Sequence, residues 1–190
     1  IAKEQGNFTE IPIPGSDGKT YMKRVGYTPN DPSKFTIVIT DTIRKLRKER
    51  GYTLKETIDK WLEYATELRN LCGYTFVHIV HLNRSVSDVS RLKYAGDELF
   101  PTPEDIKDTG NLSEECNFLF TMFSPNDKRY HLTSHFGIPI RDSKGNPLYP
   151  GLRTLHLVES REVESPQHFR FEMLGNVKSF RQYKDKKLKS

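Results

Sequence analysis

Cysteine is nearly absent from this sequence of 190 residues. Cys72 and Cys116 stand alone, without a partner spacing, which excludes a disulfide scaffold or a cysteine zinc site and reads as two reduced thiols. No apolar run approaches the roughly 20 residues of a membrane span, and no signal-peptide pattern is visible, so the expectation is a soluble, cytoplasmic protein with no membrane partner. A strong charge of either sign is also missing. Lys and Arg number 30 against 25 Asp and Glu, a formal +5. Residues 181–190 alone hold Arg181, Lys184, Lys186, Lys187 and Lys189 against Asp185. Outside that basic tail the chain is close to neutral, and its charge does not by itself argue for nucleic acid.

A phosphate-binding loop is missing too. Gly18-Lys19-Thr20 has the right last letters, but the motif needs a glycine five positions before the Gly-Lys pair, where Ile13 stands. Such a loop also requires a helix to follow, whose amino terminus holds the phosphates. Tyr21 to Tyr27 is instead β-like and is followed by Pro29. Lys19 is read as a solvated lysine in a hairpin turn, within a connector of residues 1–34. Residues 1–6 read like the end of an element begun upstream.

What is present begins with Phe35-Thr-Ile-Val-Ile-Thr-Asp41, an apolar run ending in a carboxylate. Thr53-Leu-Lys-Glu56 is a capping box. From it Leu54, Ile58, Trp61, Leu62, Ala65, Leu68 and Cys72 recur at helical spacing until Gly73. A second apolar run, Thr75 to Val80, then ends in His81-Leu-Asn-Arg84. Strand, helix, glycine, strand predicts a βαβ unit with parallel, buried strands and polar residues at their carboxyl ends, where α/β sheets bind ligands. Trp61 is expected in the core and His78 buried and hydrogen-bonded.

Ser85 to Thr102 reads as a long loop and Thr102-Pro-Glu-Asp105 as a short helical turn. Phe118 to Phe123 reads as another buried strand, and Ser124 to about Gly151 as an insertion (residues 124–152). Arg153 to Val158 and Phe169 to Met173 form a terminal hairpin carrying Arg161.

This order of features resembles the carboxy-terminal half of the RecA-like ATPase core of DnaB-type hexameric replicative DNA helicases and the related phage primase-helicases. The resemblance covers roughly residues 35 to 175. It implies an α/β fold with a mostly parallel sheet flanked by helices and a C-terminal β-hairpin over residues 35–180, a partial core lacking the P-loop strand. It implies an ATP-dependent DNA helicase of a bacterial or phage-infected cell, using ATP and Mg2+, moving on single-stranded DNA as a homo-oligomeric ring, a hexamer.

By the same resemblance Asp41 matches the Walker B aspartate, which holds magnesium through water. A strand-end Asp that caps the next segment is the plainer alternative. His81 matches the γ-phosphate sensor, against a satisfied core histidine. Asn83 and Arg84 match the polar end of that motif, Asn83 on the nucleotide side and Arg84 on the DNA side. Lys107, Asp108 and Gly110 match the loop that tracks DNA in the channel, against a solvated loop. Arg161 matches the arginine finger delivered in trans to a neighbour's nucleotide.

Two departures qualify it. Glu159 stands where the family has a lysine, which puts efficient hydrolysis in doubt. The P-loop and the catalytic glutamate belong before the Asp41 strand, so a P-loop-bearing segment, upstream or separate, is expected, and this chain alone is expected to be inactive. A RecA-like recombination or remodelling ATPase, and a degenerate module that only binds DNA or a partner, stay open.

Overall fold

The computed structural model describes residues 2–106 and 112–182, and the chain divides into two compact units, residues 1–80 and 81–190.

The first unit opens with a helical turn, α1 (Ala2–Gln5), and a long antiparallel hairpin of β1 (Gly6–Pro14) and β2 (Thr20–Pro29), bulged between Thr9 and Glu10. Gly18, at φ 75°, makes the turn, and Lys19 lies beside Asp17 with its ammonium 3.7 Å from the carboxylate. A strand, not a helix, follows Lys19, so no helix amino terminus is there to hold a phosphate.

Next come β3 (Ile37–Asp41), α2 (Leu54–Cys72) and β4 (Thr75–Ile79). Thr53 Oγ1 accepts the Glu56 N–H, and the Glu56 carboxylate accepts the Thr53 N–H, satisfying two otherwise orphaned donors. At the other end Gly73 takes the left-handed conformation (φ 69°) and its N–H returns to the Arg69 carbonyl. Between these stops Ile58, Leu62 and Ala65 are buried. Trp61 packs edge-on against Phe76 and His78 of β4, as expected of a core residue.

β3 and β4 pair in parallel, Ile37 opposite Thr75 and Asp41 opposite Ile79. One expectation is corrected here: these strands are not buried on both faces. Ile37 (51% exposed), Ile39 (63%), Val77 and Ile79 form an open apolar face, because α2 packs on the opposite face alone.

The second unit contains α3 (Val89–Ala95), α4 (Leu112–Glu115), β5 (Phe118–Phe123), the short pair β6 (Ser134–His135) and β7 (Ile138–Pro139), then β8 (Leu152–Ser160), β9 (Gln167–Leu174) and β10 (Ser179–Gln182). β8 turns back into β9 through residues 161–166, and the sheet order is β10-β9-β8-β5 with every pair antiparallel. The expected mostly parallel sheet is therefore corrected: parallel pairing is confined to β3 and β4 among the described residues.

Three further expectations change. β5 is an edge strand rather than a buried one, with Phe118, Phe120 and Met122 on an open face and Leu119, Thr121 and Phe123 inside. Residues 85–102 are not a plain loop but hold α3 and short 3-10 turns. The expected insertion is part of the core, since Leu132 and Ile140 pack with Val86, Leu99, Phe123 and Leu152.

Behind that core lies a polar relay. His135 Nδ1 donates to the Asp97 carbonyl (3.0 Å), so its Nε2 is left to accept from the Thr154 hydroxyl (3.3 Å). Thr154 Oγ1 then accepts from His156 Nε2 (2.8 Å), and His156 Nδ1 accepts from His168 Nδ1 (2.7 Å). Burial pushes His135 down to about 4, against the Asp97 contact. Burial first, then the neighbouring histidines, push His156 down to about 3. Both rings are neutral near pH 7, as the relay requires.

Candidate functional site

Asp41 ends β3, directly opposite Ile79. It is exposed, and its carboxylate makes no hydrogen bond or ion pair among the described residues. The backbone turns inward immediately after it: the Asp41–Thr42 peptide is cis, and Thr42 and Ile43 are buried. A lone carboxylate facing solvent at a strand end suits a cation held through its water shell, where one side chain supplies charge and water completes the coordination. It is not a cage: no group of three potential metal-ligating side chains occurs among the described residues.

His78 is half-buried in β4, its Nδ1 3.3 Å from Thr40 Oγ1, and burial lowers its pKa, so it serves as a neutral packing ring.

The segment carrying His81, Asn83 and Arg84 belongs to the second unit. His81 and Arg84 are exposed. Asn83 is not free in the same way. Its Nδ2 donates to the Glu104 carbonyl (3.1 Å), and its Oδ1 accepts the Ser85 N–H (2.9 Å). Its own N–H donates to the Asp105 carbonyl (2.7 Å). The amide expected at the nucleotide is thus engaged in holding two segments of its own unit together.

Those bonds lead to a hub that sequence reasoning missed. Asp105 is completely buried. Its Oδ1 accepts from Arg91 Nη1 (2.6 Å) and Ser85 Oγ (2.5 Å), and its Oδ2 from the Thr102 N–H (2.8 Å). Arg91 Nη2 in turn donates to the Phe100 carbonyl (2.8 Å). Leu82 and Ile106 form an isolated antiparallel bridge between the same two segments. The signal available in the sequence was the Thr102-Pro-Glu-Asp105 turn, which announces a carboxylate reaching back to Thr102 but says nothing of Arg91.

Lys107, Asp108 and Gly110 lie outside the described residues. Arg161 follows β8 directly and is exposed. Its N–H donates to the Asn117 carbonyl (3.0 Å), and its Nη2 donates to the Glu114 carbonyl at the end of α4. With Ser113, Cys116, Glu159 and Ser165 it lines a shallow cleft. Burial, with Glu159 second, raises the Cys116 thiol, so the cleft does not present a reactive thiolate. The guanidinium keeps donors beyond the one used on Glu114, which an anion in the cleft could take.

The second unit therefore brings His81, Asn83, Arg84 and Arg161 into one compact body, with Asn83 committed to its own scaffold. Asp41 sits in the other unit.

No family model matches the sequence, and no curated protein does. Among solved structures the fold is similar to that of a DnaB-like replicative helicase, described together with its interactions with primase. The similarity has a TM-score of 0.59, 12% identity and coverage of 81% of this chain. The chain spans 32% of the length of that helicase chain, and at this identity the likeness is one of fold.

Proposed function

We propose that this chain is the second part of the ATPase motor of a replicative DNA helicase. The observation that carries the reading is the fold likeness over 81% of the chain, combined with a carboxylate, unpartnered among the described residues, at the end of a parallel strand. Asp41 would hold Mg2+ through water, and the ion would neutralise charge on the phosphates of ATP. His81 would sense the γ-phosphate. Arg84, Lys107, Asp108 and Gly110 would meet single-stranded DNA. Arg161 would reach the nucleotide of a neighbouring copy in a ring, its planar fork suited to two phosphate oxygens.

The phosphates themselves need a cradle that these residues do not provide, so the motor requires a P-loop-bearing segment, upstream or separate. The open apolar face of Ile37, Ile39, Val77 and Ile79 supports that requirement, because parallel sheets are covered on both faces in α/β proteins.

The deciding experiment measures ATP hydrolysis, with and without single-stranded DNA, by the polypeptide that carries both this chain and the P-loop. Hydrolysis lost in Asp41→Ala supports the motor, and hydrolysis that survives the substitution overturns it. Strand-separation assays set against strand-exchange assays distinguish a helicase from a recombination ATPase.

A second reading, a non-catalytic DNA- or partner-binding module, is favoured by Glu159 beside Arg161 and by the engagement of Arg161 with Glu114. Absence of hydrolysis together with retained DNA binding is its signature.

A further inference from the structure

The segment between β3 and α2 carries a charge that the balance of the whole chain conceals. Residues 44–55 hold Arg44, Lys45, Arg47, Lys48, Arg50 and Lys55 against Glu49 alone. Lys45, Arg47, Lys48 and Arg50 are exposed, and their side chains make no ion pair or hydrogen bond among the described residues. Glu49 does not offset them, because its carboxylate is taken by the Lys60 ammonium of α2. Glu56 is committed to the α2 cap, and Asp59 and Glu63 mark where the positive stretch ends.

The Glu49 contact also fastens the basic segment beside two aromatic rings. The Tyr52 N–H donates to the Glu49 carbonyl (3.2 Å), and the Lys60 ammonium lies 4.9 Å from the centre of the Tyr52 ring and 5.9 Å from that of Tyr64. Both rings nevertheless stay open to solvent, Tyr52 at 45% and Tyr64 at 49% exposure. Neither has a part in the function proposed above.

We propose that residues 44–64 form a further single-strand nucleic-acid site, in the first unit, where Lys45, Arg47, Lys48 and Arg50 hold phosphates and Tyr52 and Tyr64 stack on unpaired bases. The site rests on the single-strand part of the reading above and not on hydrolysis. It differs from the expected contact of residues 107–110 in gripping bases as well as backbone.

Cations without partners keep their charge for phosphates, and binding releases the counterions of the strand. Such a run alone would take any polyanion; the rings narrow the choice. Base faces are buried in a duplex and absent from an acidic peptide, so an aromatic platform beside a basic track suits an unpaired strand of any sequence. Lys60 holds both rings in place by cation–π attraction, which lowers the ordering cost of stacking.

The test measures fluorescence anisotropy, without nucleotide, on the polypeptide that carries both this chain and the P-loop. The probes are a labelled oligothymidylate, an abasic strand of the same length and the corresponding duplex. Tyr52→Ala with Tyr64→Ala should weaken oligothymidylate binding about tenfold or more, while leaving the abasic strand and the salt dependence unchanged. Phenylalanine at both positions should keep the affinity within about twofold, because the ring and not the hydroxyl is used. Arg47→Ala with Lys48→Ala and Arg50→Ala should weaken both strands and lower the slope of log affinity against log salt by about 2.

Oligothymidylate binding that is absent from the parent or unchanged by the alanine pair, equal weakening of the abasic strand by that pair, or a duplex bound as tightly as the single strand overturns the site. Hydrolysis that depends on Asp41 leaves the motor standing in each of those cases. Ring-dependent binding by a parent that hydrolyses no ATP keeps the site and removes the motor.

Discussion

Two aspartates, Asp41 and Asp105, divide the chemistry of this chain between them. Asp41 stands at a strand end, exposed, with no bond to another side chain among the described residues. Asp105 is wholly buried and accepts from a guanidinium, a hydroxyl and a backbone N–H. The first has everything to gain from an incoming cation and contributes little to the fold. The second is consumed by the fold, its charge already met by donors on both oxygens. The same side chain thus stands open to solvent or is committed to its scaffold according to whether its environment has already answered its charge.

The contrast can be broken by measurement, and the largest expected effect lies on the buried side. Asp105→Ala leaves Arg91 without its carboxylate and should destabilise the protein by about 3–5 kcal/mol, read from urea unfolding. A loss below about 1 kcal/mol would show that the hub is not holding its segments.

Next comes acid. His135 and His156 titrate at about 4 and about 3 in the fold, below the ordinary 6.5. As pH falls below 6.5 the unfolded chain takes up protons that the folded chain refuses. Stability is therefore complete above that value and is lost as pH falls toward 4, by at most about 1.4 kcal/mol per unit for each ring. Urea midpoints that stay level from pH 7 to pH 5 would contradict this.

On the exposed side, Asp41→Ala should lower ATP hydrolysis by the assembled motor by about 100-fold or more, an effect of about 2.7 kcal/mol. Its unfolding midpoint should change by less than about 0.5 kcal/mol, because an exposed side chain without partners contributes little. A large loss of stability would return Asp41 to a capping role. The smallest effect belongs to Thr53→Ala, which removes one acceptor at the α2 cap and should cost about 1 kcal/mol in the same unfolding assay.

Local signals were legible. The Thr53–Glu56 box, the apolar spacing through Ala65 and the terminating Gly73 define α2 within the chain itself. The βαβ order then implies the parallel pairing of β3 with β4. Exposure was not legible, since Ile37 and Ile39 have the composition of buried residues whether or not anything covers them. The antiparallel pairing of β5 with β8 was equally hidden, because pairing of Phe118 with Ser160 depends on how more than thirty intervening residues pack.

Of the candidate site, the Asp41 strand end and the chain position of Arg161 came from pattern. The commitment of Asn83 and the whole Asp105 hub did not, because Arg91 and Asp105 are far apart in sequence and joined only by the turn between them. His135, Thr154, His156 and His168 carry no spacing signal either; their relation exists only once the side chains of β6 meet those of the β8–β9 pair.

That histidine relay has a handedness of protonation. Each ring's tautomer is dictated by the one before it, so His135 is protonated on Nδ1, His156 on Nε2 and His168 on Nδ1. Reversing any single ring would confront two protons or two lone pairs at the next contact. The alternation should therefore appear in nitrogen-15 spectra as one Nε2-protonated ring between two Nδ1-protonated ones, a pattern that persists or collapses as a whole.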